Sequence, residues 1–176
     1  MTNMFKKLTD IIEPDFVFND KSVNRFKVIA DNKDNKKKDK ISLLSKLKEK
    51  INSIEDCKLK NNSKNLIMGD GNINSPIMFI GEAPGELEDA SGNAFQGDIG
   101  SLLKKMLLAI DLKIENVYSA YSINFRPPED RKPTTQEVKR YSIFLKEHIS
   151  IINPKIIILM GSSAMEAIFG SNSKIS

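Results

Sequence analysis

Apolar positions along the chain fall into two textures. Over residues 3–13, Met4, Phe5, Leu8, Ile11 and Ile12 recur at helical spacing, and Pro14 closes the pattern. A second helical stripe, Leu43, Leu44, Leu47, Ile51 and Ile54, runs from about Ser42 to Ile54. The ten residues 31–40 between these stripes, DNKDNKKKDK, hold no apolar residue. Such a segment has nothing to bury against the entropy of ordering, so a flexible linker is expected there. From Pro76 on, short strand-like runs predict strands at Ile77–Ile80, Val117–Ile123 and Ile156–Met160. A loop and then a helical pattern follow each. The first pattern carries Leu102, Leu103, Met106, Leu107 and Ile110; the second carries Val138, Tyr141, Leu145, His148 and Ile152. The second opens on Thr134-x-x-Glu137 behind Pro133, the signature of a capping box. A third helix begins near Ser162.

Strands alternating with helices predict an α/β fold: three layers, α/β/α, around a mostly parallel central sheet. Such sheets place ligands at the carboxyl ends of their strands. Three loops lie there, GEAPGELED at 81–89, NFRPPEDRKP at 124–133 and GSSAM at 161–165. The expected organisation is an N-terminal helical segment over 1–30, the linker over 31–40, and one α/β domain over 41–176.

Charge adds a local feature. The formal net charge is +4, and Asp31 to Lys50 alone hold eight lysines against four acids. This is a basic patch or tether on an otherwise balanced protein. A single cysteine, Cys57, excludes an internal disulfide framework and suits a reducing cytosol. No apolar run is long enough for a membrane span, and the first residues lack the apolar stretch of a secretory signal. A cytoplasmic protein without membrane contact is expected.

The loops carry the candidate chemistry. Glycine in GEAPG lets backbone approach a ligand closely. Glu82, Glu86, Glu88 and Asp89 suit orientation of a water, binding of a hard cation, or plain solvation. Phe95, an aromatic in a polar glycine loop, is suited to stack on a flat ligand. Arg126, Arg131 and Lys132 on a proline-rich loop suit a phosphate backbone, as they also suit an ordinary surface. GSSAM fails the G-x-S-x-G pattern at Met165. His148, the single histidine, falls on an apolar stripe and reads as a packed residue.

The motifs from Cys57 to Gly170, in the order GEAPGELED, SGNAFQG, VYSAY, RPPEDRKP and PKIIILMG, resemble the uracil-DNA glycosylase superfamily, and within it the iron–sulfur-type branch called family 4. The resemblance implies hydrolysis of the N-glycosidic bond of uracil in DNA, single- or double-stranded, after the nucleotide has left the stack. It implies that Ala83, Pro84, Gly85, Glu88 and Asp89 lie beside the flipped base, with Phe95 stacked on it. Glu82 is the leading catalytic carboxylate. Arg126, Arg131 and Lys132 would contact DNA phosphates.

Three departures from the family pattern matter. Tyr121 stands where the family strand ends in the asparagine that reads uracil, and a phenol cannot reproduce an amide's paired donor and acceptor. Of the four cysteines that hold a [4Fe-4S] cluster in the family, only Cys57 is present; Ile54, Phe125 and Tyr141 take the other positions, so no cofactor is expected in this chain. A last strand with a His-Pro-Ser motif is not found before Ser176, so the domain is expected to be incomplete there, with a second polypeptide as a candidate source of the missing part. Three functions follow: a glycosylase of weakened or lost activity, a non-catalytic nucleic-acid-binding protein of the same fold, and a metal-dependent phosphohydrolase built on Glu82, Glu88 and Asp89.

Overall fold

The computed structural model describes residues 25–170. The helix expected over residues 3–13 lies outside them. The chain divides between Asp34 and Asn35 into two units, and the architecture below is that of the second.

Helix α1 (Arg25–Asn52) passes through 31–40 without a break. The linker expected there is therefore helical backbone. Lysine is a good helix former, and extending an existing helix is cheap once a nucleus is fixed. The nucleus lies downstream, where Leu47 and Ile51 are fully buried. Lys40 reinforces it by donating to the carbonyls of Ile73 (3.1 Å) and Ile152 (2.7 Å). A short helix α2 (Lys58–Asn62) follows.

The sheet comprises β1 (Asp70–Gly71), β2 (Ile77–Gly81), β3 (Tyr118–Tyr121) and β4 (Ile156–Leu159), in the order β1-β3-β2-β4. β2 runs parallel to both neighbours, with Met78 opposite Tyr118 and Ile157, and Ile80 opposite Ala120 and Leu159. β1 is antiparallel to β3, which makes the sheet mixed. The helices are α3 (Glu86–Ser91), α4 (Gly97–Leu108), α5 (Thr135–Ile152) and α6 (Ser162–Phe169).

Side-chain alternation along β2 builds the three layers. Met78 and Ile80 join Val138, Leu145 and Ile152 of α5 and Ala164 and Ala167 of α6 on one face. Phe79 joins Leu103 and Leu107 of α4 on the other. The expected stripe of α5 is buried in full, and Thr134 and Glu137 form the capping box. The stripe of α4 is only half right. Leu103 and Leu107 are buried, whereas Leu102, Met106 and Ile110 are exposed. At the sheet's edge among the described residues, Ile156 of β4 is 54% exposed.

His148 is buried on α5, with Nε2 2.8 Å from the Tyr118 hydroxyl. Burial holds its pKa down at about 4, against an ordinary value of 6.5. The unfolded chain therefore takes up this proton first, so the contribution to stability is full above the unfolded value and is lost as pH falls toward the folded one. Chemical denaturation between pH 7 and pH 4 is expected to show a falling unfolding free energy, and His148→Gln is expected to flatten the upper part of that slope.

Candidate nucleotide site at the strand ends

The carboxyl ends of β2, β3 and β4 converge on one cavity of about 790 Å³. Glu82 follows β2 directly. Its Oε1 accepts from the Ser163 backbone N–H at 2.9 Å and the Ser162 hydroxyl at 3.1 Å, both in the first turn of α6. The Ser162 hydroxyl in turn accepts from Lys132 Nζ. Burial pushes the Glu82 carboxyl up, but the bonds from Ser163 and Ser162 and the nearby Lys132 charge outweigh it and hold the pKa below the usual value. Gly161 makes the approach possible. Its φ is +100°, and a Cβ there would lie 2.3 Å from Glu82 Cγ.

The acidic loop is mostly internal scaffolding. Glu88 is buried, its Oε2 accepting from the Gly85 N–H (3.0 Å) and its Oε1 from the Gln96 N–H (2.9 Å). Asp89, also buried, accepts from the backbone N–H groups of Lys64 (2.9 Å) and Asn65 (3.0 Å) through Oδ1. The three carboxylates of the phosphohydrolase reading therefore do not converge. No group of three or more His, Cys, Asp or Glu residues among those described is placed to hold a metal ion.

Phe95 has φ of +51°, a conformation that bulky residues rarely adopt. Its surroundings enforce it. Gly100 lets α4 lie so close that a Cβ there would sit 1.7 Å from the Phe95 carbonyl oxygen. The Phe95 N–H donates to the Tyr121 hydroxyl at 3.0 Å, and that hydroxyl donates to Glu88 Oε1 at 3.3 Å. The Phe95 and Tyr121 rings are stacked, with centroids 4.8 Å apart and planes 19° from parallel. Burial raises the Tyr121 phenol well above its ordinary pKa, the Phe95 N–H opposes this and Glu88 reinforces it, so the hydroxyl stays protonated.

Of the residues expected at the site, Glu82, Ala83, Pro84, Gly85, Glu88, Phe95, Tyr121, Arg131 and Lys132 line the cavity. Asp89, Arg126 and Cys57 do not. Arg126 grips Asp130 through two bonds of 2.7 and 2.9 Å. Arg131 grips Glu137 at 2.9 and 2.7 Å and, as the main cause, holds that carboxyl down at about 2. Both guanidinium groups thus carry internal carboxylate partners. Sequence reasoning missed Ser162 and Ser163 as the clamp on Glu82; GSSAM at the end of the third strand was the available signal.

The loops that form this cavity lie within a stretch of the chain that matches a known family. The model of that family, described as the uracil DNA glycosylase superfamily, matches residues 68–175. The chain belongs to the uracil DNA glycosylase superfamily. It is 36% identical over 134 residues to the Type-4 uracil-DNA glycosylase of Thermotoga maritima, covering 76% of this chain and 69% of that protein. It is 37% identical over 126 residues to the Type-4 enzyme of Archaeoglobus fulgidus, covering 72% and 63%. With that of Sulfurisphaera tokodaii it shares 39% over 127 residues, covering 72% and 58%. The matched part of the chain thus spans between 58% and 69% of the length of these relatives.

The iron–sulfur cluster implied by the resemblance does not fit this superfamily member. Cys57, Phe125 and Tyr141 lie in one buried apolar cluster with Leu47, Ile51, Leu59 and Ile123, and Ile54 packs against it. Cys57 Sγ is 3.1 Å from the Tyr141 hydroxyl, and the Phe125 and Tyr141 rings meet edge-on at 6.2 Å. One thiol, packed among apolar groups, cannot replace four ligands. Protein purified anaerobically is expected to show no stoichiometric iron and none of the visible absorption of a cluster; four irons per chain would refute this.

The clamp on Glu82 has its own consequence. A ¹³C-carboxyl titration is expected to show Glu82 losing its proton at lower pH than an ordinary glutamate, and Ser162→Ala is expected to move that titration upward.

Proposed function

We propose that this chain binds a nucleotide turned out of DNA and hydrolyses the N-glycosidic bond of uracil slowly. One observation carries the reading: the ionised Glu82 carboxylate is fixed at the strand ends, in the same cavity as the Phe95 ring. Breaking the bond between the sugar C1′ and the base N1 sends the electron pair to the departing base. The sugar becomes cation-like, and a negative carboxylate stabilises it. Glu82 also suits orientation of the attacking water, whose oxygen bonds to C1′ while its proton is released to the base or to solvent. Neither step uses a metal or a cofactor.

Tyr121 is the reason for slowness. Its hydroxyl is engaged with Phe95 and Glu88, and it offers no amide to the anion that develops on the base. Loss of one preorganised donor typically costs about two to three orders of magnitude in rate. Lys132, with the outer faces of Arg126 and Arg131, supports phosphate contacts whose affinity falls steeply with salt, by roughly 0.9 log units per log unit of salt for each neutralised phosphate.

The test is an oligonucleotide with a single uracil, followed by alkaline cleavage of abasic sites under single-turnover conditions. Slow release by the natural chain is expected, with an increase of at least about tenfold in Tyr121→Asn and loss of activity when Glu82→Gln is added. No release by either the natural chain or Tyr121→Asn would sink the reading.

A further inference from the structure

The Tyr121 ring lies where a flat ligand would have to lie to stack on that face of Phe95. The two rings are 4.8 Å apart and nearly parallel, the geometry of an aromatic–base stack. The ring also lines the cavity and packs so closely on Gly81 that a Cβ there would be 2.8 Å from it. Its hydroxyl accepts from one backbone N–H and donates to one carboxylate, the two functions that a heterocyclic amide edge would offer to the same partners. The neighbouring N–H groups of Gly85 and Gln96 are satisfied by Glu88. Tyr121 therefore supplies a ring, a donor and an acceptor from within the chain, at a site that still opens into about 790 Å³ beside Glu82, Arg131 and Lys132.

We propose that the preferred ligand of this cavity is DNA at an abasic site, with Tyr121 occupying the space of the missing base. This rests on reading the cavity as a nucleotide site and goes beyond it in naming the nucleotide. A base-bearing residue that stacks on this face of Phe95 must first expel Tyr121, breaking one ring stack and two hydrogen bonds. An abasic deoxyribose requires no such exchange. It also leaves the duplex more cheaply, because no base has to be unstacked or unpaired. Its sugar and flanking phosphates would meet Lys132 and the proline-rich loop, which line the same cavity.

Fluorescence anisotropy tests this with the full chain and three oligonucleotides that differ at one central position: a tetrahydrofuran abasic analogue, thymine, or uracil. Binding to the abasic analogue is expected to be about tenfold tighter than to thymine, on the scale of one aromatic–base stack. Tyr121→Ala is expected to bring that ratio close to one, and Tyr121→Phe to keep most of it. Circular dichroism of each variant checks folding. Should Tyr121→Ala not fold, ring-proton NMR of the natural chain decides: the Phe95–Tyr121 cross-peaks are expected to persist in the abasic complex, and their disappearance would overturn the proposal. Equal affinity of the natural chain for abasic and thymine DNA, or an undiminished preference in a folded Tyr121→Ala, would overturn it as well. Slow uracil release without an abasic preference sinks this inference alone. Absence of any DNA binding sinks the glycosylase reading with it.

Discussion

The site is organised around one buried carboxylate that ties together the backbone and the ring around it. Glu88 holds the Gly85 N–H with one oxygen and the Gln96 N–H with the other, and it receives the Tyr121 hydroxyl. Three segments, the loop after β2, the loop before α4 and the more distant end of β3, are thereby fixed to one side chain. A charged group can be buried at this depth only with such a set of partners, because each bond offsets part of its desolvation. Removing it would leave two N–H donors and one hydroxyl without an acceptor, and the position of Phe95 would lose its anchor. The four carboxylates that make GEAPGELED so conspicuous thus divide by role. Glu88 and Asp89 hold backbone, Glu82 faces the cavity, and Glu86 is exposed beside Arg126 at 3.7 Å.

The opposite wall is held differently. Glu82 depends on the third strand and its helix, since Ser162 and Ser163 lie 80 residues further along the chain. Parallel pairing of β2 with β4 brings the two loops together, and Met160 extends the ladder by donating to the Ile80 carbonyl at 2.8 Å. The hydrogen bonds to Glu82 come from the N-terminal turn of a helix, where unpaired amides favour negative charge. Lys132 adds a cation through Ser162. The carboxylate is thus favoured in its ionised form by fixed dipoles and a neighbouring ammonium, and its position is set by the sheet.

Much of this was legible in the sequence where one signal dominated. The α5 stripe Val138, Tyr141, Leu145, His148 and Ile152 has the full helical period and a capping box at its head, and every member is buried. The three parallel strands are short strand-like runs with clear breaks, apolar throughout in β4 and interrupted by Ser119 in β3. β1 was not legible, because a two-residue bridge at Asp70–Gly71 leaves no period to detect. The helical backbone of 31–40 was hidden by composition, since its support lies in Leu47 and Ile51 downstream and not in the segment itself. On α4 the apolar pattern wraps two faces, and spacing alone could not say that Leu103 and Leu107 would be inside while Leu102 and Met106 remained exposed. At the site, residue types pointed to the right loops but not to their partners. That Arg126 and Arg131 each hold a carboxylate, and that a tyrosine stacks on Phe95, are facts of three-dimensional proximity between distant positions.

Gly161 shows how narrowly the arrangement is poised. The space beside it is filled by the stem of Glu82, and its backbone lies in a region that side chains avoid. Any substitution would add at least one carbon atom there, pushing the carboxylate off Ser163 or twisting the entry to α6. No charged or aromatic side chain would change. A silent-looking exchange of glycine for alanine at this one position is therefore enough to displace the carboxylate without altering any group that forms hydrogen bonds to it.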